Sequence, residues 1–450
     1  MTGIHGAESL PRRGMTLVEM LVATTITLIM MGLVAQLFGV FGQGVTGSRS
    51  VIELTDQMRS VGWRLRQDLG GATAQMLPPR RPEVDEGYFE LLEGPATDAN
   101  AASIVPSSDT TGLTADCDDA LLFTARSPGT PFVGRFGAGT IESPVAEVAW
   151  FCRQAAQQLP GGPTLFTLYR RQLLVMDYVG ADPFQASGNV LPWSNPMPVS
   201  WDNYFLTYDI SCSYVPTPSP QMSPNSLRDL TKRENRFGHN PTGIVSAAMY
   251  PYPALSISPL SGSRLGEDIV LNNVIAFDVR VFDPDAPVQV AAAGGAVTPG
   301  DPGFKAGSVA AGLGTYADLF WNRALAGTPT SPLTTFPPAG LTAFQSAGVF
   351  VCGSALPQGK SLLTSGSAVY DTWSTHYESN GIDENDNSLV DEGTNGLDDN
   401  ANGLVDESAE AETSAPYPVP LRALEVRIRC YEPSSRQVRQ VTIRHTFVPY

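Results

Sequence analysis

The sequence predicts an α+β fold, in which one long N-terminal helix, transmembrane and then amphipathic, packs on an antiparallel β head. Three observations support this prediction. No formally charged residue lies between Met20 and Phe41, and apolar residues then recur every three or four positions up to Leu69. Later segments alternate apolar and polar residues with the period of a β-strand. Large loop insertions and a calcium-loop segment complete the predicted head.

The composition limits the possible functions. The chain has 450 residues with 43 glycines and 37 prolines, well above the roughly 12% usual for these two residues together, so many turns and long loops are expected. A formal net charge of −17 argues against a basic nucleic-acid-binding face, and no nucleic-acid partner is expected. The five cysteines and four histidines are scattered without CxxC or HExxH spacing, so no zinc site is predicted.

The charge-free run is long enough to cross a membrane. Its 22 residues would form a helix about 33 Å long, against a hydrocarbon layer of roughly 30 Å. Arg12 and Arg13 precede the run, which predicts a cytoplasmic N-terminus and places the rest of the chain outside. A secretory signal peptide is the alternative. Glu19 at the head of the run and the lack of a small-x-small site after it argue against a signal peptide.

The helix is predicted to continue beyond the membrane to a length of about fifty residues. Gly42, Gly44 and Gly47 are expected to loosen the junction between its halves, and Gly70-Gly71 is expected to end it. The apolar stripe of the second half consists of Val51, Leu54, Met58, Val61, Leu65 and Leu69.

The stretch from Arg12 to Glu19 resembles the processing site of type IV prepilins and pseudopilins. The shared features are a basic pair, Gly14, a hydrophobic residue at Met15, where the family usually has phenylalanine, and Glu19 at the fifth position of the mature chain. The resemblance implies that a prepilin peptidase cleaves between Gly14 and Met15 and methylates the new amine of Met15. It further implies that Glu19 pairs with that amine on a neighbouring pilin or pseudopilin. A carboxylate within the bilayer costs about 2.5–3.5 kcal/mol on insertion scales, so such a partner would explain why it is kept.

The rest of the chain has strand-like alternation, which favours antiparallel sheets with one buried face. One hairpin is predicted from Val148, Trp150 and Cys152 through the turn LPGGPT to the segment Leu165 to Val175. A second hairpin is predicted at the C-terminus around the turn YEPSSRQ. Between them, the segment NNVIAFDVRVFD is expected to place Ile275, Phe277, Val279 and Val281 on one face.

Smaller motifs make the chain similar to one branch of this family, the minor pseudopilins of the J type and the related W-type minor pilins. These motifs are Asp68-Leu69 near the helix end, the pair Tyr169-Arg170 on a hairpin, and a closing strand pair followed by Pro449. The J-type likeness implies type II secretion and the W-type likeness a type IV pilus, and both remain open at this point.

These observations predict a linear order of segments, which we give by residue number. They are a leader (1–14), a transmembrane half-helix (15–41), an amphipathic half-helix (42–71), a β-rich pilin-like head (72–283) with an insertion (177–265), a Gly/Ala/Pro-rich insertion (284–370), an acidic segment (371–416) and a closing β-hairpin (417–450).

The acidic segment contains a repeat with the ligand spacing of a calcium loop. GIDENDNSLVDE is followed after fifteen residues by GLDDNANGLVDE. Side-chain oxygens at the first, third and fifth positions, a glycine at the sixth and later carboxylates are how such loops converge on Ca²⁺. One or two calcium ions are therefore predicted, although a solvated acidic linker is the alternative. The predicted ligands are Asp383, Asn385, Asn387, Asp391, Glu392, Asp398, Asn400, Asn402, Asp406 and Glu407.

No constellation of catalytic residues stands out, and the chain is not expected to be an enzyme. The segment from Gly353 to Ser361 misses the phosphate-loop spacing by one position. Arginines near the C-terminus are expected on outward strand faces, as a polar face or a docking surface; they are Arg422, Arg427, Arg429, Arg439 and Arg444.

The sequence therefore predicts a minor pseudopilin or minor pilin, held in the inner membrane by one helix, with its head in the periplasm or beyond. Its expected partners are other pilin-like subunits, the prepilin peptidase and the membrane. The head is expected to lie at the filament tip or to prime assembly. The alternative is a single-pass membrane-anchored protein with calcium-dependent extracellular binding or adhesion.

Overall fold

The computed structural model describes most of the helix and the framework of the head. The described residues are 15–76, 84–93, 113–175, 207–215, 221–231, 235–237, 259–291, 294–305, 308–319, 350–351, 368–372, 390, 396–397, 401, 403 and 421–448.

The predicted long helix and antiparallel head are both present. The helix α1 spans Leu17–Gly70, 54 residues, and passes through Gly42, Gly44 and Gly47 without interruption. The strands follow in chain order: β1 (Phe89–Glu93), β2 (Ala120–Arg126), β3 (Phe132–Phe136), β4 (Gly139–Ser143), β5 (Val145–Gln154), β6 (Phe166–Leu174), β7 (Cys212–Val215), β8 (Gln221–Pro224), β9 (Ile269–Val290), β10 (Ala296–Val297), β11 (Gly312–Ala317), β12 (Phe350–Val351), β13 (Ala368–Asp371), β14 (Ala423–Glu432) and β15 (Gln437–Thr446).

Eleven of these strands form one sheet. Nine lie side by side in the order β12-β13-β1-β2-β5-β6-β9-β14-β15, and β10 and β11 pair with the distal part of β9. Every strand pair described is antiparallel, including the two predicted hairpins β5–β6 and β14–β15. The hairpins β3–β4 and β7–β8 stand apart from this sheet.

The second half of α1 packs on one face of the sheet through the predicted apolar stripe. Leu54, Met58, Val61, Leu65 and Leu69 are all buried in the main core. Gly62 faces β15, where an added Cβ would make an ordinary van der Waals contact with Val441 Cγ2 at 3.5 Å. Amphipathic periodicity and tertiary packing thus agree in this half of the helix.

The prediction of a sheet with one buried face was wrong for the central strands. The first eight residues of β5 are all buried, because segments between the strands cover the second face. At β5, the second-face carboxylate of Glu147 accepts hydrogen bonds from Tyr88 Oη (2.6 Å), Ser211 Oγ (2.7 Å) and the Phe237 amide (2.7 Å). Ser211 and Phe237 lie within the predicted insertion 177–265, so this region contributes to the core.

The C-terminal arginines are also less exposed than the alternation predicts. Arg427 and Arg429 lie largely inside the head, and Arg427 contacts Asp301 at 2.6 Å and Glu425 at 2.7 Å. Residues that follow β10 supply Asp301 and thereby cover the polar face of β14. The predicted outward face is wrong for these two arginines. The chain returns over Arg427, and the buried Arg429 donates from Nε to Gln440 Oε1 on β15 at 2.7 Å.

The strand β9 departs from the prediction at both ends. Ile275 joins a small cluster with Leu113 and Tyr431 rather than the face of Phe277, because the pairing of β9 with β14 shifts register between Arg429 and Cys430. The predicted segment boundary at 283–284 falls inside β9, which continues to Val290 and pairs with β10 and β11.

The end of α1 requires a glycine at one position. Gly71 caps the helix, donating to Asp68 O and Gln67 O, and its own carbonyl accepts from the Arg126 amide at 2.7 Å. A Cβ at Gly71 would collide with the Arg126 carbonyl oxygen. The neighbouring Gly70 has open space around it.

We predict that Gly71→Ala lowers the free energy of unfolding by roughly 1–3 kcal/mol, because the added methyl group overpacks the contact with β2. Gly70→Ala is the matched control and should be neutral or stabilising by up to about 1 kcal/mol, since alanine favours helix. Chemical denaturation of the detergent-solubilised full chain measures both. Equal losses for the two variants would contradict the proposed close contact.

Candidate functional site

The first half of α1 presents an uncovered apolar surface. The segment Leu17–Gly39 has 23 residues with a mean hydropathy of 2.1, and none of it is buried. Its length and composition are compatible with a single-pass membrane anchor. Lipid or the helices of other subunits could cover this surface, since the described part of the head packs on the second half of α1.

Glu19 is the only formally charged residue between Met15 and Arg49, and the structure places it in the first turn of α1. Its Oε2 accepts hydrogen bonds from the Thr16 amide at 2.9 Å and from Thr16 Oγ1 at 3.1 Å. In return, the Glu19 amide donates to Thr16 Oγ1 at 3.2 Å. This reciprocal arrangement is a capping box, which satisfies helix-start amides that would otherwise lack partners.

The capping box gives Glu19 a local role that the sequence analysis did not anticipate. Thr16 stands three residues before Glu19, which is the spacing that signals this motif. The carboxylate is nevertheless exposed, and Met15, which is also exposed, lies directly before the helix cap. Both predicted assembly residues are therefore at the accessible end of the helix, where another chain can reach them.

The remaining predicted site residues lie outside the described residues. They are Gly14 at the predicted cleavage site and the predicted calcium ligands Asp383, Asn385, Asn387, Asp391, Glu392, Asp398, Asn400, Asn402, Asp406 and Glu407.

A buried charge pair attaches α1 to the head. Asp68, in the last turn of the helix, receives two hydrogen bonds from Arg170 on β6: Nε to Oδ2 at 2.6 Å and Nη2 to Oδ1 at 2.8 Å. Trp150 on β5 donates from Nε1 to Asp68 Oδ2 at 2.9 Å. All three residues are buried. A carboxylate near the C-terminus of a helix is disfavoured by the helix dipole, so the guanidinium partner is needed there.

This contact joins two motifs that the sequence analysis noted separately. The two residues in contact, Asp68 and Arg170, are 102 positions apart in the sequence. The pairing of β5 with β6 places Trp150 opposite Arg170. Neither the contact nor the part of Trp150 in it is predicted by the sequence motifs. A signal was present, since Asp68 lies on the apolar stripe between Leu65 and Leu69, where an unpaired carboxylate would be costly.

We predict that Arg170→Met lowers the free energy of unfolding by about 3–5 kcal/mol, because it removes the bidentate partner of the buried Asp68 and leaves the carboxylate with the partly exposed Arg64, whose Nε lies 4.0 Å away. Arg228→Met is the control. Arg228 also contacts an aspartate, Asp85 at 2.9 Å, but its side chain is 71% exposed, so no measurable loss is expected. Denaturation of the full chain, followed by tryptophan fluorescence, compares the two, and similar stabilities would rule out a structural role for the buried pair.

Comparison with known proteins identifies one motif. Residues 10–35 match the family model of the prokaryotic N-terminal methylation motif. No curated protein and no solved structure matches the chain. The matched region contains Gly14, Met15, Glu19 and the first part of the exposed helix. The motif and the apolar helix that it opens together support a pilin- or pseudopilin-type subunit of the type IV pilin-like family.

Proposed function

We propose that this chain is a minor pilin-like subunit that works mechanically, in a type II secretion pseudopilus as a J-type subunit or in a type IV pilus as a W-type subunit. The observation that carries the proposal is the division of α1. Its second half is attached to the head through the ion pair of Asp68 with Arg170. Its first half is apolar and exposed, and it carries Glu19 in its first turn.

The proposed processing starts from the leader. A prepilin peptidase would cleave between Gly14 and Met15 and methylate the amine of Met15, while the chain remains in the inner membrane with its head in the periplasm or beyond. The new cationic amine would lie beside the helix start, close to Glu19 in sequence. Opposite charges attract more strongly in the low dielectric of packed helices than in water.

Assembly would then pair Glu19 of one subunit with the Met15 amine of the next. The carboxylate loses water as helices pack, and an amine on the adjoining chain offsets that cost. The apolar side chains around it supply the contact surface. The exposed part of α1 is therefore proposed to pack with the corresponding helices of other pilin-like subunits.

The size of the head supports a position at the tip or in assembly priming. Nine strands lie side by side, and at about 4.8 Å between strands the sheet is roughly 40 Å wide. Packed helices lie only about 8–10 Å apart. Heads of this width crowd one another when repeated on adjacent helices, whereas a single head at the end of a filament avoids that crowding.

The acidic repeat is proposed to bind one or two calcium ions beside the head. Two observations support this. Gly403, at the sixth position of the second copy, has φ of +91°, a conformation that suits the sharp turn of a calcium loop. The flanks of the segment also meet, since the Leu421 amide donates to Tyr370 Oη at 3.2 Å. Folding of the repeat by calcium would stabilise the start of the closing hairpin.

We predict that Glu19→Ala and Glu19→Gln abolish assembly but not membrane insertion. Loss of one partner of a desolvated charge pair costs about 3–5 kcal/mol, which is roughly a hundredfold or more in association. Cross-linking of the full chain in cells measures assembly, and carbonate extraction measures insertion. Glu53→Ala is the matched control, because Glu53 is an exposed acid of the same helix, and it should cross-link like the parent.

Unchanged cross-linking of both Glu19 variants would contradict the proposal. That result would favour the alternative, a membrane-anchored calcium-dependent binding protein whose helix serves only as an anchor.

We predict that the double variant Asp383→Asn, Asp398→Asn binds less calcium than the parent, because each copy of the repeat loses its first ligand. The control is Glu410→Gln with Glu412→Gln, which removes the same charge from positions outside the aligned ligands. Equilibrium dialysis of the full chain against calcium measures the difference. Equal calcium binding by the parent and the first variant would show that the repeat is a solvated linker.

A further inference from the structure

A gap opens in the sheet where β9 loses β6 as its neighbour. The pairing of β6 with β9 ends at Val274. Beyond this residue, the backbone of β9 forms hydrogen bonds with other segments. The Ala115 amide donates to Ile275 O at 2.9 Å, and the Phe277 amide donates to Asp116 O at 2.6 Å. From Val281 to Val288, β9 pairs with β11 instead.

Three carboxylates meet in this gap. Glu93 ends β1, and Asp116 and Asp119 lie just before β2; each is at most 1% exposed. One carboxylate oxygen from each of the three lies within 4.8 Å of the others. Backbone amides fix two of them: Leu319 donates to Glu93 Oε2 at 3.2 Å and Val279 donates to Asp119 Oδ2 at 2.7 Å.

The Asp116 side chain has no hydrogen-bond partner in the part of the chain that the structure describes. Both of its carboxylate oxygens are buried, and neither accepts a hydrogen bond. The backbone of Asp116 is held in place, because its carbonyl oxygen accepts a hydrogen bond from the Phe277 amide of β9. A fully buried carboxylate directed at two others and left without a donor calls for a ligand, since nearly all buried polar groups are satisfied.

Another aspartate of the head, Asp301, shows what a carboxylate with cationic partners looks like. Burial alone disfavours the charge of Asp301, but Arg280 at 2.8 Å and Arg427 at 2.6 Å outweigh it and hold its pKa at about 2. The pKa of Asp116 is instead raised well above its ordinary value by burial and then by the charges of Asp119 and Glu93. The described surroundings of Asp116 add negative charge where those of Asp301 supply cations.

We infer that Glu93, Asp116 and Asp119 bind a calcium ion inside the head. The ligand atoms are all carboxylate oxygens, which suit a hard cation, whereas zinc sites are usually built from nitrogen and sulfur. Oxygens at 2.3–2.6 Å from one calcium ion are at most about 5 Å apart, as the three oxygens are here. Magnesium keeps several waters and demands octahedral geometry, which a fully buried group of three carboxylates does not favour.

The ion would join parts of the head that are distant in sequence. It would link the end of β1 to the segment before β2, and through the amide contacts of Glu93 and Asp119 also to Leu319 and β9. This inference does not depend on the pilin-like function or on calcium binding by the acidic repeat.

The test uses the detergent-solubilised full chain with the acidic repeat disabled by Asp383→Asn and Asp398→Asn. In this background, Asp116→Asn is compared with Asp118→Asn, a matched change at an exposed neighbour. Bound calcium is measured by elemental analysis after exchange into calcium and again after prolonged dialysis against EDTA. The thermal unfolding midpoint is measured in both conditions, and Glu93→Gln serves as a second variant of the site.

We expect the background and Asp118→Asn to retain a calcium ion that Asp116→Asn and Glu93→Gln lose. Calcium should raise the unfolding midpoint of the first two chains only. In EDTA, Asp116→Asn should unfold at a higher temperature than the background, because asparagine removes a repelling charge. Equal calcium content in all four chains would overturn the inference. It would also be overturned if Asp116→Asn were more stable than the background in calcium as well as in EDTA, since the carboxylates would then be held by shared protons.

Discussion

The bidentate contact between Asp68 and Arg170 fixes α1 to the head, and the arrangement of the chain follows from it. The pair lies inside the head with Trp150 as a third partner. Because either charge alone would be costly at this depth, helix and sheet are held in one orientation. The apolar stripe of the docked half of α1 packs against the sheet, whereas the first half stays exposed. Its apolar surface is left uncovered by the described residues and suits contact with lipid or with other helices.

The head itself is organised around a sheet whose central strands are buried on both faces. One face receives α1, and segments between the strands cover the other. On that second face the charges are internal: Glu147 is surrounded by donors, and Arg427 contacts Asp301 and Glu425. These contacts use residues that look like loop insertions in the sequence, so such insertions complete the core. Asp116 differs from these groups, because neither of its buried carboxylate oxygens accepts a hydrogen bond within the described residues.

The periodicity of apolar residues predicted those elements that depend on residues close together in sequence. The stripe from Leu54 to Leu69 and the two hairpins follow from the helical and strand periods, and the structure confirms them. Contacts between segments that are distant in sequence could not be predicted from these local patterns. Nothing local to Arg427 shows that residues near Asp301 fold back over it, and nothing in the alternation of β9 shows the shift that separates Ile275 from Phe277. The capping box of Thr16 and Glu19 was readable from spacing alone, yet the carboxylate was interpreted only as an intermolecular partner.

The proposed assembly depends on a cationic amine at Met15 that can meet Glu19 of an adjoining chain. Mass spectrometry of the N-terminal peptide, from protein isolated out of its native membrane, tests this most directly. The proposed processing yields a peptide that begins at Met15 and carries one additional methyl group on its amine. A peptide that begins at Met1, or a chain that has lost the whole apolar segment, would contradict it, because the charge pair at the helix start then has no cation.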